Sequence, residues 1–343
     1  MAVGTVGVCT FLLGPGAWLL AGGSVRGKDL EETRRTLIAT VVTGSTLAGL
    51  AYTIRHYLLA RRGQVAERYS RAVAQLAGAP VERLGGIYAL EHVMRESEDD
   101  HETIVEVLAS YVRTESPAQP GVTGSSVVRA DIAAAMTVLA RRPSRPETNR
   151  IDLRRTDLAG LELVTGADQR VPRLARADLC GARLVGVRMP GADLRDVLLG
   201  GADLTRAYLK DAVLSGAWLS GAVLRESHLD RAKLVEAKLD AAVLVRTCFQ
   251  EADLTDCWLD GAEQDHAMFQ GAALTRASLL DVHLEHSQGL TWEQIVSACP
   301  FPDGRTGLSD GFRTDPAVQA RIIACLEAPP RHLPPWPFPW PLS

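Results

Sequence analysis

The side chains best able to do chemistry sit in patterns that suit a scaffold better than a reaction. The stretch "HLEH" places His283 and His286 around Glu285, residue types that can hold zinc. Aspartates Asp178, Asp193, Asp203 and Asp253 recur inside Ala-Asp-Leu units. Paired carboxylates can divide acid and base work, but a carboxylate returning at one fixed place in a repeat reads as a solvated or turn-bonding group. The six cysteines, Cys9, Cys180, Cys248, Cys257, Cys299 and Cys325, show no CxxC pair and no regular spacing, which argues against a disulfide framework or a zinc site. Nucleophile elbow, P-loop, dinucleotide fingerprint and HExxH motif are all missing from the sequence. The residues therefore imply no catalytic group, no metal, no cofactor and no small-molecule substrate, and the chain reads as a non-enzyme.

The elements that carry these residues are set by an unusual period. In "GADLTRAYLKDAVLSGAWLSGAVL", residues 201–224, leucine falls at Leu204, Leu209, Leu214, Leu219 and Leu224, each two places after an alanine. On an α-helix a five-residue step leaves successive leucines about 140° apart. On a strand the odd spacing sends them to opposite faces. A backbone that itself repeats every five residues satisfies the pattern, with four units closing a square rung and rungs stacking at ~4.8 Å.

The register runs from Leu174 to Leu284 over twenty-three positions, of which twenty-two are Leu, Met or Phe. Sixteen of the preceding small positions are Ala. The expected core thus includes Leu194, Leu199, Leu204, Leu209, Leu214, Leu219, Leu224, Leu229, Phe249 and Phe269. The two phenylalanines are adjacent in one column and should stack. Gln264 is the exception, and it is expected to turn outward at a bulge, because an unpaired buried amide costs ~1–3 kcal/mol. An earlier block, Leu153–Leu158–Leu163, is out of phase by one residue, with the break inside "VTGADQRVPR".

With its Ala-Asp-Leu-x-x units, "GADLRDVLLGGADLTRAYL" resembles the pentapeptide-repeat family. The resemblance spans roughly residues 150–289 and implies a right-handed quadrilateral β-helix. A solenoid needs sealed ends, since a bare terminal rung exposes core and open strand edges. Thr291 and Gln294 form a capping-box signature for a short helix over the last rung.

The remainder of the chain is of other material. No charged residue occurs in 1–25 or in 36–54, with "RGKDLEETRR" between. Nineteen uncharged residues are long enough to cross a ~30 Å hydrocarbon layer, and Gly44 with Ala48 and Ser45 with Gly49 have small-xxx-small spacing. The expectation is a transmembrane helical hairpin over 1–60, contacting membrane lipid through residues 3–25 and 36–54. Four basic residues on each side of the second segment leave orientation open. Unpaired thiols at outward positions, Cys180 and Cys248, favour placing the C-terminal domains in the cytoplasm, beneath a cell membrane.

Residues 61–141 read as a small helical domain, with Ile87, Leu90, Met94, Ile104, Leu108, Ile132, Met136 and Leu139 as apolar stripes and an Asp99–Glu102 capping box. The stretch "RLGGIYALEHVMRESEDDHETIVEVLASYVR" resembles the helical segment of membrane-anchored bacterial pentapeptide-repeat proteins. A linker over 142–149, the β-helix over 150–289, a cap over 290–328 and a Pro/Trp-rich tail over 329–343 complete the expected order. Arginine outnumbers lysine thirty-three to four, a mark of a GC-rich bacterial genome.

Net charge is −4, so no general affinity for nucleic acid follows. One outward column at steps of twenty holds Leu198, Trp218, Lys238 and Trp258. Large apolar groups on an outward face mark a candidate protein-docking patch. The chain is thus expected to be a membrane-anchored scaffold for an unknown protein partner. The alternative comes from the family resemblance: some members protect DNA gyrase by presenting a DNA-like acidic rod. Here residues 247–290 hold eight acidic residues and one basic residue, against thirteen and fifteen over 151–246.

Overall fold

Each five-residue unit makes the same moves. Leu174 points inward, its carbonyl accepts the Ala177 N–H at 3.0 Å, and between them Arg176 takes φ +62°. The next unit then starts a quarter-turn further round. Glycine supplies the left-handed residue at Gly201 and Gly221, but Arg206 (φ +58°) and Ala241 (φ +52°) adopt it too. That conformation costs a residue bearing a Cβ roughly 1–2 kcal/mol, so the core and the ladder, not the corner residue, hold the shape.

The computed structural model describes residues 27–119, 128–164, 171–298 and 306–327. Four units close one rung, and residues twenty apart form parallel bridges: Asp193, Val213, Lys233 and Asp253 on one face, Leu198, Trp218, Lys238 and Trp258 on the next. Asp203, Val223, Val243 and Glu263 form the third face, and Arg188, Tyr208, His228, Cys248 and Met268 the fourth. The out-of-phase block is a rung of the same coil. Asp152 bridges Asp178, Asp157 bridges Arg183 and Glu162 bridges Arg188, each pair twenty-six residues apart. Six extra residues therefore separate this rung from the next.

The core follows the five-residue period. Leu194, Leu199, Leu204, Leu209, Leu214, Leu219, Leu224 and Leu229 are all buried, and the Phe249 and Phe269 rings stack at 5.3 Å and 11°. Small polar residues that replace alanine bond to main chain: Ser227 and Thr247 hydroxyls both donate to the Leu224 carbonyl, and the Cys257 thiol to that of Leu234. Aspartates beside the core leucines accept the N–H two residues on, as Asp203 does from Thr205 at 3.0 Å. They are turn-bonding groups.

Gln264 corrects the expected bulge. It stays in the core column, 7% exposed, and neither its Nε2 nor its Oε1 has a hydrogen-bond partner among the described residues. The ladder is what yields: the third face stops at Glu263, and His283 bridges Gly307 instead. A side chain flanked by Leu244 and Leu284 in its own column is held inward by the phase of the whole rod, although its amide gains nothing there.

The chain divides into two compact units, Met1–Arg68 and Tyr69–Ser343. In the second, α2 (Pro80–Glu96), α3 (His101–Glu115) and α4 (Ala130–Ala140) pack on one another. Ile87, Leu90, Met94, Ile104, Leu108, Ile132, Met136 and Leu139 form their core. Pro80 opens α2 at its first position, where no N–H is needed. Gly86 is required on its inner side, because a Cβ there would lie 2.6 Å from the Ala72 carbonyl oxygen. The α3 N-terminus differs from expectation: its cap is Asp100, and Glu102 instead accepts the N–H groups of Thr148 and Asn149. Residues 142–149 are correspondingly tied down. Arg142 is forked onto Glu147, which also meets His101 Nε2 at 3.0 Å, and Arg145 donates to the Met94 and Ser97 carbonyls.

Both ends of the coil are sealed. After α3 the chain runs antiparallel to the first rung, with Pro117 bridging Thr156 and the Ala118 N–H bonded to the Arg155 carbonyl at 2.7 Å. At the other end Thr291 and Gln294 form the expected capping box of α5 (Trp292–Ser297). Gln294 Nε2 also donates to the Phe269 and Ala272 carbonyls, and Ile295 is fully buried. Two short helices follow, α6 (Asp310–Arg313) and α7 (Pro316–Glu327).

A membrane-crossing second arm of the expected hairpin is not found among the described residues. Residues 36–54 lie inside one continuous 49-residue helix, α1 (Gly27–Gln75), and no helix among the described residues is long and apolar enough to cross a membrane. The segment also carries five threonines, Ser45, Tyr52 and two glycines. Its hydroxyls bond back to helix carbonyls, as Thr40 does to Thr36 and Thr46 to Val42. A Cβ added at Gly44 or Gly49 would meet nothing within 4 Å, so the small-residue stripe makes no close contact among the described residues. Residues 3–25 and 329–343, and with them the lipid segment and the Pro/Trp tail expected there, lie outside the described residues.

Candidate docking column

The second face of the coil carries the residues picked out by their spacing. Leu198, Trp218, Lys238 and Trp258 bridge in succession, each at the position just before an inward leucine, so their side chains point out. Lys238 lies between the two indoles, with Nζ 4.3 Å from the Trp218 ring centroid and 4.9 Å from that of Trp258. An ammonium held between two π faces contributes ~0.5–1 kcal/mol per ring where exposed and more where desolvated. The column is thus a stiff ladder of alternating rings and charge. Trp218 is its most open rung at 47% exposed, while Leu198, Lys238 and Trp258 are half-buried.

Its borders are polar. Asp178 above accepts the Cys180 N–H and lies 3.6 Å from Arg154. Ser220 donates to Asp240 at 2.9 Å along one edge, and Asp260, further down, accepts the Leu280 N–H and the Ser278 hydroxyl. Burial pushes the Asp260 carboxyl above the usual range. An apolar strip rimmed by polar groups is the arrangement of a protein contact, and it contains no nucleophile, general base or oxyanion cradle.

The other candidates part company. His283 is exposed beside Glu285, whereas His286 stacks on His266 at 5.7 Å and meets Asp265 at 3.2 Å, so the "HLEH" pair is not brought together. Cys248 is not the open thiol its outward position implied. It is 5% exposed, donates to Asp230 Oδ1 at 2.7 Å, and is pushed up to about 11 by burial and by that carboxylate. Cys257 lies in the wall of the core.

Two groupings escaped the sequence. In the helical part Asp131 accepts from Tyr111 Oη at 2.8 Å and from Arg129, and lies 3.2 Å from Arg83. Burial raises the Asp131 carboxyl, but hydrogen bonds from Arg129 and Tyr111 outweigh it and hold the group below its ordinary value. The second is His228, Asp230 and Cys248, whose ligand atoms lie within 4.8 Å of one another. The step of twenty between His228 and Cys248 was the available signal.

A four-sided parallel coil with an outward ladder of rings and charge defines a solenoid. Residues 173–211, 207–244 and 247–286 match the family model described as pentapeptide repeats, in eight copies, and this part of the chain belongs to the pentapeptide-repeat family, whose coil is a right-handed quadrilateral β-helix. Among solved structures the chain is similar to HetL, a pentapeptide repeat protein involved in heterocyst differentiation regulation, from the cyanobacterium Nostoc sp. strain PCC 7120. Identity is 28%, over 39% of this chain and 64% of that one, with a TM-score of 0.23. It is also similar to QnrB1, a plasmid-mediated fluoroquinolone resistance protein, at 16% identity over 51% of this chain and 86% of that one, with a TM-score of 0.29. A pentapeptide repeat protein of the Arabidopsis thaliana thylakoid lumen matches at 22% identity, over 50% and 88% of the two chains, with a TM-score of 0.15. No curated protein matches the chain.

Proposed function

We propose that this chain is a non-enzymatic scaffold that binds a protein partner along the Leu198–Trp218–Lys238–Trp258 column. The observation behind this reading is the Lys238 ammonium held between two outward indoles. A rigid apolar ladder has little conformational entropy left to lose on binding, so more of its contact energy goes into affinity. The reading does not depend on a membrane, because every residue of the column belongs to the unit Tyr69–Ser343.

A gyrase-directed DNA mimic is less well supported. Of the carboxylates over 247–290, Asp256 is paired with Arg276 and Asp260 is drawn into the wall of the coil, so the acidic end offers no continuous line of free charge.

The test is capture by the full chain from a cell extract, with and without Trp218→Asp and Trp258→Asp together, and with gyrase subunits probed directly. Loss of a captured protein with the double variant, its circular dichroism unchanged, supports the column. Capture that survives the double variant overturns it, and direct gyrase binding would favour the mimic.

A further inference from the structure

The fourth face carries a cluster that neither the core nor the docking column uses. Down this face Arg188, Tyr208, His228, Cys248 and Met268 follow one another at single-rung steps. The Arg188 guanidinium sits 5.0 Å over the Tyr208 ring, and that ring is 5.9 Å from the His228 imidazole. The next group down is the Cys248 thiol. Asp230, two residues after His228, reaches both: Oδ2 is 3.7 Å from His228 Nδ1, and Oδ1 accepts from Cys248 Sγ at 2.7 Å.

We infer that His228, Asp230 and Cys248 form a mononuclear binding site for a zinc-class divalent ion, with a water as the fourth ligand. The donor set is one nitrogen, one oxygen and one sulfur, which suits zinc and is too soft for magnesium or calcium. All three ligand atoms lie within 4.8 Å of one another. In a tetrahedral zinc site with bonds of 2.0–2.3 Å, ligand atoms stand ~3.5 Å apart. The His228–Asp230 separation is already near that value. The Cys248–Asp230 contact must open by under about 1 Å as the metal takes the place of the thiol proton. Main-chain ladders fix both rungs, and the side chains alone need move.

The proton balance is simple. The Cys248 S–H bond breaks, an S–metal bond forms, and one proton passes to solvent for each ion bound. His228 accepts the metal through a neutral ring nitrogen and, with a side chain 53% exposed, gives the ion a route in from solvent. Lys210 and Gln250 occupy the places one rung above and below Asp230 in its column, and neither supplies a competing carboxylate. A bound ion would replace the Cys248–Asp230 hydrogen bond as the side-chain tie between these two rungs.

The test uses the full chain, reduced and freed of metal by a chelator, then titrated with Co²⁺ and with Zn²⁺ against a chromophoric competitor. One equivalent of Co²⁺ should give a thiolate-to-cobalt charge-transfer absorption, with one proton released. Cys248→Ser should abolish that absorption. Even second-sphere changes at metal sites cost ~10–100-fold in affinity, so His228→Gln and Asp230→Asn should each weaken binding by about 100-fold or more. Cys180→Ser should leave it unchanged. Binding without the thiolate signal, or a signal unaffected by His228→Gln, overturns the site. His228→Gln alters a half-exposed side chain, so it decides the matter even if Cys248→Ser fails to fold.

Discussion

Replacing Gln264 with leucine tests the phase of the rod most severely. Gln264 is 7% exposed, and both polar atoms of its amide lack partners among the described residues. Leaving such groups unsatisfied costs ~1–3 kcal/mol. The same column carries Leu244 one rung above and Leu284 one rung below, both buried, so a leucine enters a space already shaped for leucine. Removing the penalty and adding apolar contact should make Gln264→Leu more stable by ~2–4 kcal/mol. At ~2–4 °C per kcal/mol for a domain of this size, the melting temperature should rise by roughly 4–16 °C. Urea unfolding followed by far-ultraviolet circular dichroism measures the free energy, and calorimetry the melting point. A change within ~0.5 kcal/mol of zero, the usual result at an exposed position, would mean that the amide is solvated, and the inward placement would be refuted.

Two further outcomes follow from the corners and from the helical part. Ala241 has an exposed side chain and φ +52°, so Ala241→Gly should raise stability by ~0.5–1 kcal/mol, the left-handed strain of ~1–2 kcal/mol less the added freedom of the unfolded glycine. A loss in urea unfolding would show that the corner stores no such strain. Tyr111 is pushed up to about 12 by burial and by its hydrogen bond to Asp131, while an unfolded tyrosine titrates near ~10. Between those values the native state keeps a proton that the unfolded state has lost. The stability this contributes is complete below ~10 and disappears as pH rises toward ~12. The stability profile of Tyr111→Phe should be flatter than that of the parent over this window, and parallel profiles would dismiss the coupling.

The coil was legible because its period is a backbone period: any residue that breaks the five-step pattern is visible against its neighbours. The same regularity fixes the order of Leu198, Trp218, Lys238 and Trp258. What the period does not carry is how far a side chain reaches. Cys248 stands at an outward place, yet Asp230 closes over it. Gln264 stands at an inward place, and its polarity suggested an escape that the rungs on either side forbid. Periodicity also has no hold on pairs far apart in sequence without a common register, which is why Asp131 with Tyr111 and Arg83, or Arg142 with Glu147 and His101, were not foreseen.

The sealing of both ends of the coil bears on how such a chain can change length over evolutionary time. Pro117 occupies the edge of the first rung and Gln294 the carbonyls of the last, so neither terminus can simply be lengthened by another turn. Growth or shrinkage has to happen internally, and its unit is arithmetic. Gain or loss of twenty residues restores every column and is silent to the core. Gain of five keeps leucine over leucine but rotates everything downstream by a quarter-turn, which would carry Trp258 off the face it shares with Lys238 and leave the interior intact. The six extra residues between the first rung and the second show a third course, in which the surplus is shed at one place and the register resumes beyond it. Insertions taken up as repeat units therefore sort by length modulo twenty into those that reposition the surface and those that leave it in place, whereas a surplus kept between rungs follows neither rule.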